Sequence, residues 1–253
     1  NVTYIPMLDQ FGACMGPLAH LSRFWEPFQG SKVLNFSHAV HVMTVGFGIR
    51  SLHVQYFLPP LPEPTAPTTG LHGFFWLRSD DQISWQTVRS LIGRTNFDSL
   101  HLHLAADPGS RKPSLPADDD IRRFNITMSS WFDRKEDYND VLARANVFFS
   151  PRLEEGIGQS FLEAFGRGQC VVAAANGTMN EYILHGINGL LFDSDNPRPL
   201  NFDRAVELGR LGWQAARTGY DRWERSQEGL MDFILTPSRI AYHGRYDHFH
   251  RLP

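Results

Sequence analysis

Short apolar runs and segments with helical period alternate along almost the whole chain. VTYIP (2–6), KVLNF (32–36) and RSLHVQYFL (50–58) are rich in β-branched and aromatic residues and predict strands. Between them Leu18, Leu21, Trp25 and Phe28 recur at helical spacing, and residues 38–47 are apolar without strict alternation, so two helices are expected. Further on, GFFWLR (73–78), LHLHLAAD (100–107), RRFNITM (122–128), NVFFSP (146–151), CVVAAANG (170–177) and NGLLFD (188–193) predict strands. Helices are expected at 83–93, where Trp85, Val88, Leu91 and Ile92 share a face, at DYNDVLARA, at NEYILHG, and as two terminal helices over 203–217 and 219–235. A Pro/Asp-rich loop is expected to run to residue 120.

Strands and helices alternating at this pace predict parallel α/β layers with helices on both faces. PPLPEPTAPTTG (59–70) interrupts the pattern. Five prolines in twelve positions exclude helix and inner strand and read as a stiff linker. The expected organisation is an N-terminal α/β domain over 1–60, a linker over 61–70, a larger Rossmann-like domain over 71–235 and a tail over 236–253.

Composition narrows the classes. With 42% hydrophobic residues, 20% charged residues and a formal charge of −3, the chain is an ordinary globular one with no electrostatic case for nucleic acid. Cys14 and Cys170 sit in apolar company and read as reduced packing residues. The four sequons at Asn1, Asn35, Asn125 and Asn176 lie mostly at strands and read as chance matches. No apolar run approaches the roughly 20 residues of a membrane span, and no secretory leader is legible, so a cytoplasmic protein is expected. The chain opens inside a strand without methionine, which suggests a processed or truncated product.

The chemistry concentrates in RLEEGIGQSFLEAFGRG (152–168). A strand, a glycine turn and a helix place this loop at the carboxyl end of a sheet strand, where open α/β sheets bind ligands. Gly156 and Gly158 permit a sharp turn and close approach. The N–H groups of Gly158, Gln159 and Ser160 would meet an anion at the positive end of the helix dipole. Phe161, Leu162 and Phe165 form the apolar face; Gln159, Glu163 and Arg167 lie opposite. A carboxylate at Glu163 suits a ribose diol, while Glu155 lies on the other side of the phosphate. Taken alone, such glutamates are more commonly just solvated.

This stretch, followed by NEYILHGINGLLFD, resembles the donor half of two-domain GT-B glycosyltransferases, most closely the mostly retaining family 4. Its Glu-x7-Glu signature falls on Glu155 and Glu163, its glycine turn on Gly156 and Gly158, and its later motif on Glu181, Gly186, Asn188 and Gly189. The good match spans about 120–195. The resemblance implies two Rossmann-like domains, the N-terminal one short or truncated. It implies transfer of a hexosyl or pentosyl group from a nucleoside-diphosphate sugar to a glycan or other acceptor hydroxyl. No cofactor and no metal are implied, and peripheral membrane association stays open.

It places the ribose on Glu163 and the diphosphate on Gln159 and Ser160, with Ile157 in the same turn. It places Glu155 near the sugar, and Ser130 and Trp131 by the base. The family's Arg falls on Arg78, but its Lys six residues later falls on Ser84. Arg152 is the nearest substitute cation. The incomplete cation pair keeps open a non-catalytic nucleotide-sugar-binding or scaffold subunit. His101 and His103 share a strand face but lack further metal ligands, and the tail histidines His243, His248 and His250 read as solvated. His38 reads as capping or packed rather than cleft-facing. A Rossmann oxidoreductase lacks its glycine fingerprint here.

Overall fold

The computed structural model describes residues 1–10, 22–106 and 112–239. Leu18, Leu21, Cys14 and the tail histidines lie outside the described residues. The elements in order are β1 (Thr3–Tyr4), α1 (Leu8–Gln10), α2 (Ser22–Trp25), a 3-10 turn (Glu26–Phe28), β2 (Lys32–Asn35), α3 (His38–Gly46) and β3 (Arg50–His53). There follow β4 (His72–Leu77), α4 (Trp85–Ile92), β5 (Ser99–Leu104), α5 (Asp118–Arg123), β6 (Ile126–Ser129), α6 (Lys135–Leu142) and β7 (Val147–Phe149). The last elements are α7 (Gln159–Arg167), β8 (Cys170–Ala174), α8 (Met179–Tyr182), β9 (Leu190–Phe192) and α9 (Ala205–Leu235). Every strand pairing is parallel, as the alternation predicts.

The chain divides into two compact units: 1–57 with 154–158 and 218–253, and 58–153 with 159–217. The first carries the sheet β1-β2-β3. Val33 of β2 packs with Trp25 and Ile49, while Leu34 packs with Leu52, Val54, Leu230 and Phe233, so the strand's alternation feeds two layers. Lys32 is buried, and its Nζ donates to the carbonyls of Phe233, Ile234 and Thr236. A cation is thereby set on the orphan carbonyls at the negative end of α9. Burial pushes the Lys32 amine below its ordinary pKa.

The second unit carries six strands in the order β6-β5-β4-β7-β8-β9. Chain order reverses between β4 and β7, so the topological switch of this doubly wound sheet lies there. The proline-rich segment belongs to this unit. Leu61 N donates to Gly166 O (3.1 Å), and Thr65 N and Ala66 N both donate to Arg167 O (2.9 and 3.1 Å). The buried Asn146 Nδ2 donates to Pro67 O (3.1 Å) and Gly70 O (2.8 Å).

Two sequence expectations are corrected. The expected terminal helices are one continuous helix, α9, through Gly209, Gly212 and Gly219. Those glycines serve close approach rather than a break. A Cβ at Gly209 would fall 2.2 Å from Gly168 O, one at Gly212 2.7 Å from Phe165, and one at Gly219 2.4 Å from the Phe57 ring. The expected strand 122–128 is shortened, because Asp118–Arg123 forms the short helix α5. Three aspartates at its start and two arginines at its end suit the helix dipole. Asp120 also accepts from Trp85 Nε1 (3.0 Å) and Arg89 Nε (3.0 Å), which fastens α5 to α4.

Gly209→Ala is expected to lower stability by about 1–3 kcal/mol, because the clashing atoms are backbone and cannot swing away. Gly46→Ala, in α3 with nothing within 4 Å of the new Cβ, is the control and should be neutral or slightly stabilising. Urea midpoints of the two variants check this.

Candidate functional site

The carboxyl ends of β4, β5 and β6 and the first turn of α7 enclose a cleft of about 370 Å³. Its wall is aromatic: Trp76, His103, Trp131, Phe132 and Tyr138. Gln159, Ser160 and Glu163 supply the polar side, and Arg134 and Lys135 the cations. Hydrophobic patterning puts Phe161, Leu162 and Phe165 of α7 in the core, and this turns Gln159, Ser160 and Glu163 outward. Ser160 Oγ is buried and has no hydrogen-bond partner among the described residues.

Glu163 is held from one side. Arg167, one turn on, places Nη1 3.7 Å from Glu163 Oε2, donates to Glu163 O (3.1 Å) and donates through Nη2 to Asn139 Oδ1 (2.9 Å). Burial, reinforced by the Glu163 carboxylate, pushes the neighbouring Tyr138 phenol up to about 12. Tyr138 therefore stays a neutral donor at any ordinary pH.

Two histidines of β5 extend the polar side beneath the aromatic wall. Ser129 Oγ bridges His101 Nε2 (2.8 Å) and His103 Nδ1 (2.9 Å), and His101 Nδ1 meets Thr127 Oγ1 (2.8 Å). Burial, then the Arg144 charge, lowers His101 to about 4; burial, then His101, lowers His103 to about 4. Both rings are neutral near pH 7.

The fold is of the GT-B type. Residues 82–206 match the family model described as glycosyl transferases group 1. Anabaena Alr3699/HepE, in a complex with UDP and glucose, is 14% identical with a TM-score of 0.64, over 92% of this chain and 71% of that one. A sucrose-phosphate synthase from Thermosynechococcus elongatus is 16% identical with a TM-score of 0.61, over 91% of this chain and 66% of that one. A glycosyltransferase from Rickettsia africae ESF-5 is 14% identical with a TM-score of 0.57, over 85% of this chain and 67% of that one. At such identities the likeness is one of fold. No curated protein matches the chain.

Of the residues singled out in the sequence, Trp131, Gln159, Ser160 and Glu163 meet on the cleft. Ser130 is exposed and does not line it. Arg78 follows β4, with its Cζ 4.5 Å over the Trp76 ring, and Arg152 follows β7. Both therefore sit at strand ends flanking the switch point. Ser84 caps α4, accepting from Thr87 N at 3.1 Å, so the position where the family's Lys falls is a helix cap. Glu155, Gly156, Ile157 and Gly158 belong to the loop 154–158, which groups with the first unit. A Cβ at Gly156 would meet Asp9 Oδ1 at 2.9 Å and Met7 at 3.0 Å; Gly158 takes φ 76°.

Sequence reasoning did not single out Trp76, His103, Phe132, Arg134, Lys135 or Tyr138 as binding residues. Phe132 was signalled by its neighbour Trp131. The strand-face pairing of His101 and His103 is legible in the sequence, where it suggests only a metal site. Among the described residues no three His, Cys, Asp or Glu groups gather to hold a metal ion.

The histidine ladder makes the fold acid-sensitive. An unfolded chain protonates these rings near pH 6.5, whereas the folded chain refuses protons until about 4. Their contribution is thus fully present above about 6.5 and declines as pH falls through that window. Urea midpoints at pH 7.5 and 5.0 should differ more for the wild type than for a His101→Gln/His103→Phe variant.

Proposed function

We propose that this protein is a glycosyltransferase that moves a sugar from a nucleoside-diphosphate donor to an acceptor hydroxyl in glycan or polysaccharide biosynthesis. The observation that carries the reading is Ser160 Oγ, a buried hydroxyl without a partner among the described residues, at the start of α7 beside Gln159 and Glu163 on an aromatic cleft at the sheet's carboxyl edge. Buried polar groups are rarely left unpaired unless a ligand or water completes them. In this reading the diphosphate lies on Ser160 and Gln159 at the positive end of α7. The ribose diol hydrogen-bonds to Glu163, and the base rests on the wall of Trp131 and Phe132.

As the sugar–phosphate bond lengthens, charge develops on the leaving diphosphate and calls for cations. Arg78 and Arg152, following the strands at the switch, are the groups proposed to supply it, as forks that grip phosphate oxygens. Glu155 orients the transferred sugar. Retention, independence from metal and freedom from other cofactors belong to the same proposal: a diphosphate oxygen takes the acceptor proton, and the arginines do the work a metal ion would otherwise do. Uridine is the first base to try, since the Anabaena neighbour was solved with UDP and glucose. A cytoplasmic site of action, with peripheral membrane contact left to the acceptor, completes the reading.

Ser84 favours a second reading. With a helix cap where the second cation is expected, the chain would bind nucleotide sugar without turning it over, as a scaffold subunit. Titration with UDP, GDP, TDP and ADP should give saturable binding, and Glu163→Gln should weaken it by about 1.5–3 kcal/mol, roughly 10- to 150-fold. With the matching sugar donor, slow release of free sugar, abolished by Glu155→Gln or Arg78→Ala, is the expected result for the enzyme. Binding with no turnover across donors and acceptors would leave the scaffold reading standing alone.

A further inference from the structure

His103 takes no part in the reading above, yet it lines the cleft and is only 2% exposed. Its ring is crowded by aromatic neighbours. Phe132 stacks on it at 5.3 Å and 7°, and Phe74 at 6.3 Å and 24°; Trp76 and Trp131 stand nearly edge-on at 5.6 and 6.1 Å. The ring cannot turn without disturbing this stack, so its nitrogens are held in place.

Three of the four ring nitrogens of His101 and His103 have partners within the chain. The fourth, His103 Nε2, has none among the described residues, and it belongs to the ring on the cleft. A serine hydroxyl has a single proton, so Ser129 donates to one imidazole and accepts from the other. The two tautomers are therefore locked together. If Ser129 donates to His103 Nδ1, then Nε2 carries the proton and donates; if Ser129 accepts, Nε2 is an acceptor. The hydrogen-bond state of the cleft-lining ring is thereby linked, through Ser129 and His101, to that of the exposed Thr127 hydroxyl.

We propose that His103 reads the edge of the donor nucleobase, and that the Thr127–His101–Ser129 chain decides whether it donates or accepts. The inference rests on the proposed seating of the donor nucleotide in this cleft. A neutral imidazole offers one N–H or one lone pair, and the low basicity of the ring keeps it from becoming a donor at both nitrogens. Such a group rewards one base edge and leaves its own nitrogen unpaired, or opposed by a like group, against another. Sites built to hydrogen-bond one partner discriminate far better than apolar ones. The stack of Phe132 and Trp131 would hold any base; the edge contact would choose among them.

Calorimetric titration of the full chain with UDP, TDP, GDP and ADP tests this, with thermal melts to show that each variant is folded. The wild type should prefer one base at least tenfold. His103→Phe keeps the stack and removes both nitrogens. It should weaken the preferred diphosphate roughly tenfold, as loss of one buried hydrogen bond does, and leave the others within about twofold. Ser129→Ala and Thr127→Val, which change no residue on the cleft, should move the ratios in the same direction; they carry the test if the phenylalanine variant does not fold. Ratios unchanged in these variants, an equal loss for all four ligands, or no preference in the wild type would overturn the role of His103. Glu163→Gln separates the two levels of argument. If it weakens all four diphosphates while the His103 variants leave the ratios alone, the cleft is the donor seat and His103 does not read the base. If it changes none of them, or the wild type binds none, the seating itself is wrong and the inference falls with it.

Discussion

One buried side-chain amide sets the register on which the second unit depends. Asn146, immediately before β7, accepts from His72 N through Oδ1 (2.9 Å) and donates from Nδ2 to Pro67 O and Gly70 O. Its backbone joins the same node, with Asn146 N on His72 O and Cys170 N on Asn146 O, both at 2.8 Å. An amide taken out of water costs free energy unless all its capacity is used. The β4–β7 ladder is only three residue pairs long, Gly73 to Phe75 against Val147 to Phe149. A pairing that short does not fix its own register; the amide at its base does. The opposite end of the same pair is the switch point, so the spacing of Arg78 and Arg152 is inherited from Asn146.

The cleft divides its chemistry by layer. The outer wall is aromatic and includes Trp131, 65% exposed, which offers a large flat face to whatever enters. Under it lies a polar ladder in which hydroxyls and imidazoles satisfy one another. Beside it, α7 turns a carboxylate outward that is braced by Arg167 and Asn139. The helix α7 presents a charged group, Glu163, whereas the imidazole ladder of β5 and β6 is neutral. Under the proposed reading that contrast matches a nucleotide, whose base is uncharged and whose diphosphate is not.

Much of the fold is legible in the sequence. The alternation of apolar runs gave parallel strands because buried parallel strands need continuous apolar stretches. Trp131 came through the family resemblance. What was hidden has physical reasons. Gly209, Gly212 and Gly219 look like helix breakers by propensity, but backbone contact with neighbouring segments outweighs the roughly 1 kcal/mol each costs. α5 falls across an expected loop and the start of an expected strand, because its stabilising partners, Trp85 and Arg89, lie about thirty residues away. His103 carries no motif, since its significance lies in an aromatic stack and a hydroxyl bridge that only the sheet assembles. The grouping of 154–158 and 218–253 with the first strands is likewise a property of packing that no local pattern encodes.

That grouping bears on how the chain folds as it is made. Lys32 and Phe233, hydrogen-bonded in the first unit, are 201 residues apart in sequence. Leu34, Leu52 and Val54 find Leu230 and Phe233 only after almost all described residues have been synthesised. Every strand of the second unit's sheet lies between residues 72 and 192, so its pairings close over shorter loops. Loop-closure entropy and synthesis order thus both favour the second unit folding first. Strands β2 and β3 are made well before α9 and wait with one apolar face uncovered, which exposes them to misassociation during synthesis.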